Sequence, residues 1–121
     1  MRTLKYSVII TTGLLLFFST APLFANKSAV KIYAPDSAVK GSEIVIKIKV
    51  IHDTNNFFHH TEWAYIKVNG KEIARWKYPF ESNIFTREIK YKVDGPVSIE
   101  SMSYCNLHGS AGAKTATIKV K

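Results

Sequence analysis

The sequence predicts an all-β fold, an immunoglobulin-like antiparallel β-sandwich of about seven strands. Three observations carry this expectation. Apolar and polar residues alternate with a period of two through most of the chain after residue 25, the spacing of strands with one buried face. Turn dipeptides punctuate the alternation, with Asn69-Gly70 and Asp94-Gly95 each lying between two strand-like runs. No segment carries a convincing apolar stripe at helical spacing.

The elements follow in order. "AVKIY", residues 29–33, is a short first strand that stops ahead of Pro35. "SEIVIKIKV", residues 42–50, puts Ile44, Ile46, Ile48 and Val50 on one face and Val45, Lys47 and Lys49 on the other. "TEWAYIKV" and "KEIARWKY" flank Asn69-Gly70 as a hairpin, and "IFTREIKYKV" and "PVSIESMSY" flank Asp94-Gly95, another turn signal. "KTATIKVK" closes the chain. If the second strand runs upward, alternating connectivity places the connection from Ile51 to His60 and the one from Cys105 to Ala113 at the same end of the sandwich.

The first 25 residues read differently. "MRTLK" supplies Arg2 and Lys5, an uncharged apolar run follows, and "APLFA" ends in the small residue Ala25. That order describes a secretory signal peptide over 1–25, cut after Ala25, with a domain over 26–121. The apolar run is short for a spanning helix, which needs roughly 20 residues, so no stable membrane insertion is expected after cleavage. The exported location this implies is the bacterial periplasm. Without Arg2 and Lys5, fifteen Lys and Arg stand against nine Asp and Glu, a net charge of +6. The lysines alternate along strands as a solvated face would, and export argues against a nucleic-acid partner. A domain this small is marginal by its core alone, and a single cysteine cannot form an internal disulfide. A bound metal is another means of support.

The residues for such a metal are concentrated. Cys105, the only cysteine, lies three before His108, and the other histidines, His52, His59 and His60, fall within the facing connection. Thiolate and imidazole together suit zinc, copper and iron. Four ligands drawn from three histidines and one thiolate would make a tetrahedral zinc site, which keeps a non-catalytic carrier, sensor or structural protein in view. "YCNLHGSAGA" is also similar to the copper loop of plastocyanin-like electron-transfer proteins, but Ala113 stands about where their methionine is needed. Nothing supports serine-type catalysis: Ser110 has glycine-rich neighbours but no nucleophile elbow. Phe57, Phe58, Trp63 and Trp76 read as core or site wall.

"HDTNNFFHHTEW" and "SYCNLHG" resemble the iron domain of the superoxide reductase family, neelaredoxin and the C-terminal domain of desulfoferrodoxin. The resemblance covers most of residues 26–121 and implies an immunoglobulin-like sandwich holding a non-heme iron on histidines and an axial cysteine thiolate. It implies His52, His59, Cys105 and His108 as metal ligands, with Asp53 in place of the family's proline. It implies one-electron reduction of superoxide to hydrogen peroxide, with Lys27 as the family lysine that draws the anion in. The family's first iron histidine has no counterpart: Ser28 stands where it would fall, and no histidine precedes His52 after residue 25. Restoring a histidine at Ser28 is expected to tighten iron binding, unless His60 fills the place. The partners implied are superoxide and a separate electron-donor protein, since the chain has no CxxC rubredoxin-like module; the sequence leaves a homo-oligomer open.

Overall fold

The computed structural model describes residues 27–121, so the proposed signal peptide lies outside the described residues. The described chain is all β. Its strands are β1 (Ala29–Tyr33), β2 (Ser37–Ala38), β3 (Glu43–Ile51), β4 (Thr61–Val68), β5 (Lys71–Lys77), β6 (Ile84–Lys92), β7 (Val97–Cys105) and β8 (Lys114–Val120). They form a three-stranded sheet, β1-β3-β6, and a five-stranded sheet, β2-β8-β7-β4-β5. The sequence expectation of about seven strands omitted β2, whose two residues run parallel to the end of β8 through Ser37 and Ala38. Two residues are too few to show a period, which is why the pattern misses them. The remaining pairs are antiparallel.

The alternation in sequence becomes the inner and outer faces of the sheets. On β3, Ile46, Ile48 and Val50 are fully buried while Val45 and Lys47 are exposed. From the facing sheet Ala64, Ile66, Val68, Ile99 and Ile118 complete the core. Each buried Val or Ile side chain contributes ~1.5–3 kcal/mol on burial. Asn69 and Gly70 take positive φ, 50° and 83°, and close the tight β4–β5 turn.

The inner face of β7 changes character along its length. Val97 and Ile99 belong to the apolar core, whereas Ser101, Ser103 and Cys105, equally buried, lead to one end of the sandwich. Their polar atoms are satisfied locally. Ser101 Oγ donates to the Tyr65 carbonyl at 2.7 Å, and Ser103 Oγ lies 2.7 Å from Ser28 Oγ. The register of β4 against β7 shifts between Thr61 and Trp63, so Glu62 forms a bulge beside Cys105 and Tyr104.

Candidate metal centre

Two connections meet at the end of the sandwich where β3 and β7 finish and β4 begins. The first, residues 52–60, is shaped by asparagines. Asn56 Oδ1 accepts the backbone N–H groups of Phe58 and His59, each at 2.9 Å, which folds the segment into a tight turn. Asn55 ties it at both sides, accepting from Thr61 N at 2.7 Å and donating to the Ser82 carbonyl at 2.9 Å. Asn83 donates to the Asp53 carbonyl, and the Asn83 carbonyl accepts from His52 N, both at 3.0 Å.

The second connection is the loop after Cys105. Cys105 N donates to the Gly109 carbonyl at 2.8 Å, and Gly109 N returns a bond to the Cys105 carbonyl at 3.0 Å. Gly109 closes this turn at φ 79°, a conformation that disfavours any residue with a Cβ. Asn106 then stitches the two connections together. It accepts from His60 N at 2.8 Å, donates its side-chain amide to the Phe58 carbonyl at 3.0 Å, and donates its backbone N–H to the His60 carbonyl at 3.0 Å. Strand periodicity and ligand spacing give no weight to these asparagines. The doubled Asn55-Asn56 and the Asn after the cysteine were the available signal, since asparagine side chains bond nearby backbone in turns.

This framework gathers four side chains. The ligand atoms of His52, His59 and Cys105 all lie within 4.8 Å of one another. His108 Nδ1 is 3.9 Å from Cys105 Sγ and 3.2 Å from His59 Nε2. The His59 ring stands edge-on to both His52 and His108, with centroids 4.7 and 4.9 Å away. His52 and Cys105 are buried, His59 is half-buried and His108 is exposed. The centre is therefore walled on the protein side and open on the other. The His108 backbone N–H points at Cys105 Sγ from 3.4 Å, a donor that would stabilise negative charge on the sulfur.

One pair of donors already has the spacing of two ligands on a single transition-metal ion. Two imidazole nitrogens each ~2.1 Å from one ion and at right angles to it stand about 3 Å apart. His59 Nε2 and His108 Nδ1 have that separation at 3.2 Å.

His60 is not part of the gathering. Its Nδ1 is 2.8 Å from the Asn56 carbonyl and its Nε2 is 2.7 Å from Glu62 Oε2, and its ring stacks on Tyr78 at 3.7 Å. Both nitrogens are thus engaged away from the centre. Ser28 meets the loop after Cys105 through its backbone. Ser28 N donates to the Gly109 carbonyl at 3.3 Å and Ala111 N donates to the Ser28 carbonyl at 2.9 Å. The Ser28 side chain is fully buried, its Oγ 2.8 Å from Thr61 Oγ1 and 2.7 Å from Ser103 Oγ. Lys27, half-buried, precedes Ser28 and so enters at the same end.

The aromatic residues divide. Trp76 packs against the core. Trp63 instead lies on the outer face of the five-stranded sheet, stacked on Tyr104 at 5.2 Å with Arg75 over its ring at 4.8 Å. Phe57 and Phe58, expected as core or wall, project into solvent at 74% and 78% exposure. On the same outer face Tyr65 donates to Glu100 Oε2 at 2.7 Å, and burial followed by this bond pushes its phenol up to about 12.

Fold and donor set together define a class: an immunoglobulin-like β-sandwich with a histidine–cysteine cluster suited to a metal at one end. The family model for desulfoferrodoxin matches residues 23–111, and the chain belongs to the desulfoferrodoxin family. Among solved structures, the superoxide reductase (neelaredoxin) from Ignicoccus hospitalis is 22% identical with a TM-score of 0.64, covering 77% of this chain and 80% of that one. The neelaredoxin from Archaeoglobus fulgidus in its reduced form is 18% identical with a TM-score of 0.54, covering 81% and 94%. A fibronectin(III)-like module of Clostridium thermocellum CbhA is similar as well, 20% identical with a TM-score of 0.51 over 76% and 96%. At these identities the likeness establishes the fold alone; the sandwich is shared with modules of other kinds. No curated protein matches the chain by sequence.

Proposed function

We propose that this protein is a one-iron superoxide reductase, exported to the bacterial periplasm, that converts superoxide to hydrogen peroxide. The observation that carries the reading is the convergence of Cys105 with His52, His59 and His108 at one end of a desulfoferrodoxin-family sandwich. The basic, apolar, small order of residues 1–25 supports export. Superoxide is an anion and crosses membranes poorly, so an enzyme on the outer side of the inner membrane meets what is formed there.

His52, His59, His108 and Cys105 would hold the iron, which when bound supplies one electron to superoxide. The chain's own residues do the rest. The His108 N–H toward Cys105 Sγ restrains the basicity of the thiolate and so tunes the centre's potential. Burial of Cys105 keeps the sulfur away from water and oxidants, while exposed His108 leaves an open side for substrate. Lys27 at that end raises the local concentration of the anion. Two protons from solvent complete hydrogen peroxide. The set holds three histidines, because Ser28 is committed to Thr61 and Ser103 and His60 to Asn56 and Glu62.

The test is metal analysis of protein purified from its native compartment, followed by pulsed superoxide decay. Iron near one equivalent, with superoxide consumed and peroxide formed without dioxygen release, is the expected result. Firmly held metal with no superoxide consumption would overturn the reading in favour of a non-catalytic metal protein.

A further inference from the structure

We propose that the outer face of the three-stranded sheet, β1-β3-β6, is a docking surface for an anionic lipid bilayer. Side chains alternate along each strand, and the buried Ile46, Ile48 and Val50 mark the inner face of β3. The residues between them share the outer face with their register partners on β1 and β6. Five of these are lysines: Lys31 on β1, Lys47 and Lys49 on β3, and Lys90 and Lys92 on β6. The acidic residues of the face are Glu43 and Glu88, so five positive charges stand against two negative ones.

Strand pairing, rather than any run in the sequence, gathers these lysines. Lys31 lies directly opposite Lys49, and Lys47 is the next outward residue on the same strand. Like charges opposite one another across a strand pair weaken a sheet. Among the described residues, no lysine of this face has a carboxylate within 4.0 Å, although Glu88 is the register partner of Lys47 and Glu43 that of Lys92. The outer face of the five-stranded sheet is arranged otherwise. There Lys67 is 3.8 Å from Glu100 and Arg75 is 2.7 Å from Glu72. A repulsive array without neutralising partners weakens the free domain, and an external layer of negative charge relieves it.

Shape and chemistry select the occupant. The nine residues of β3 and of β6 extend about 30 Å, and three strands span about 14 Å in the hydrogen-bonding direction. Neighbouring lysines on such a face lie within about one Debye length, so their fields add toward a planar partner. Tyr33, Val45 and Ile84 stand among them at 46%, 44% and 51% exposure. Aliphatic stems with charged tips, interspersed with apolar side chains, match the boundary between lipid headgroups and acyl chains. Nucleic acid suits the face less well. Its cations are lysines without the arginine fork, and its one aromatic ring, Tyr33, carries Lys47 Nζ at 5.8 Å where a base would stack. The candidate metal centre is at the end of the sandwich, off this face.

The probe is vesicles of phosphatidylglycerol and phosphatidylcholine, co-sedimented with protein purified from its native compartment; pure phosphatidylcholine vesicles are the neutral comparison. The expected result is binding to the anionic vesicles at low salt that weakens as salt rises, with none to the neutral ones. Each lysine near an anionic surface contributes about a fivefold factor, so Lys31→Gln/Lys47→Gln/Lys49→Gln should bind at least about tenfold more weakly. Lys71→Gln/Lys77→Gln/Lys119→Gln removes the same charge from exposed positions on the five-stranded sheet and should lose less than about threefold. Glu88→Gln, which leaves every lysine in place, should tighten binding, so the proposal is tested by a gain as well as a loss. The first variant should melt no lower than wild type at low salt, because the opposition of Lys31 and Lys49 is gone. Equal losses in the two triple variants would reduce the effect to net charge and overturn the proposal. So would unchanged binding by Glu88→Gln, equal binding to neutral vesicles, or no binding to anionic ones. Tighter binding of a DNA oligonucleotide than of the vesicles would give the face to nucleic acid and overturn it as well. The measurement needs neither iron nor superoxide.

Discussion

Ser28→Ala removes the central oxygen of a buried hydroxyl cluster. Ser28 Oγ lies 2.8 Å from Thr61 Oγ1 and 2.7 Å from Ser103 Oγ, and all three residues are fully buried. A hydrogen bond of this kind contributes ~0.5–1.5 kcal/mol net, so losing two costs about 1–3 kcal/mol. In a domain of this size each kcal/mol moves the melting midpoint by ~4–8 °C, so a fall on the order of 5–20 °C is expected by circular dichroism. Iron affinity should change little, because Ser28 meets the loop after Cys105 through its backbone bonds to Gly109 and Ala111, which alanine retains. Ser28→His, which the family resemblance would favour as a restored ligand, has a different expectation. The imidazole must enter a fully buried place, adding overpacking of ~1–3 kcal/mol to the lost hydroxyl bonds. The variant should melt lower and bind iron no more tightly than wild type. A Ser28→Ala protein melting within about 2 °C of wild type would refute the energetic argument. Tighter iron binding by Ser28→His would refute the assignment of this side chain to the hydroxyl cluster.

Cys105→Ser should lose the ferric–thiolate absorption band and most of its iron; an unchanged spectrum at full iron occupancy would remove the thiolate from the centre. His60→Ala should keep its iron yet lose about 1–3 kcal/mol of stability, because its nitrogens bond Asn56 and Glu62 and its ring stacks on Tyr78. Iron loss there would return His60 to the ligand set. Lys27→Ala should lower the second-order rate with superoxide and flatten its salt dependence while leaving iron content alone; a rate that does not move would free Lys27 of that role. The Tyr65 phenol is raised from 10.0 to about 12 in the folded chain, first by burial and then by its bond to Glu100. The folded state therefore holds this proton more tightly than the unfolded one. Its contribution is complete below pH 10.0 and lost as pH climbs to about 12. Tyr65→Phe should reduce the fall in melting temperature across that window, and an identical alkaline profile would contradict the shift.

The strands and the end of the molecule that gathers the histidines and the cysteine were determined by the sequence itself. Side chains alternate across a strand, so "IVIKIKV" encodes which face of β3 is buried without reference to any other part of the chain. Asn69-Gly70 encodes its turn because both residues must accept positive φ. Alternating strand directions then bring residues 52–60 and the loop after Cys105 to one end, so the proximity of thiol and imidazoles follows from counting. Tertiary structure decided everything that depends on remote partners. His59 and His60 are neighbours in sequence, and only bonds from Asn56, Glu62 and Asn106 turn one toward Cys105 and the other toward Tyr78. Ser28 has the position of a ligand along the chain, and the hydroxyls of Thr61 and Ser103, 33 and 75 residues away, draw its side chain into the core. The same holds for Trp63, whose apolar ring the bulge at Glu62 and the stack with Tyr104 leave on the outer face. Periodicity is a local property of the chain, whereas the orientation of a polar or aromatic side chain is set by whichever distant groups can satisfy or stack on it.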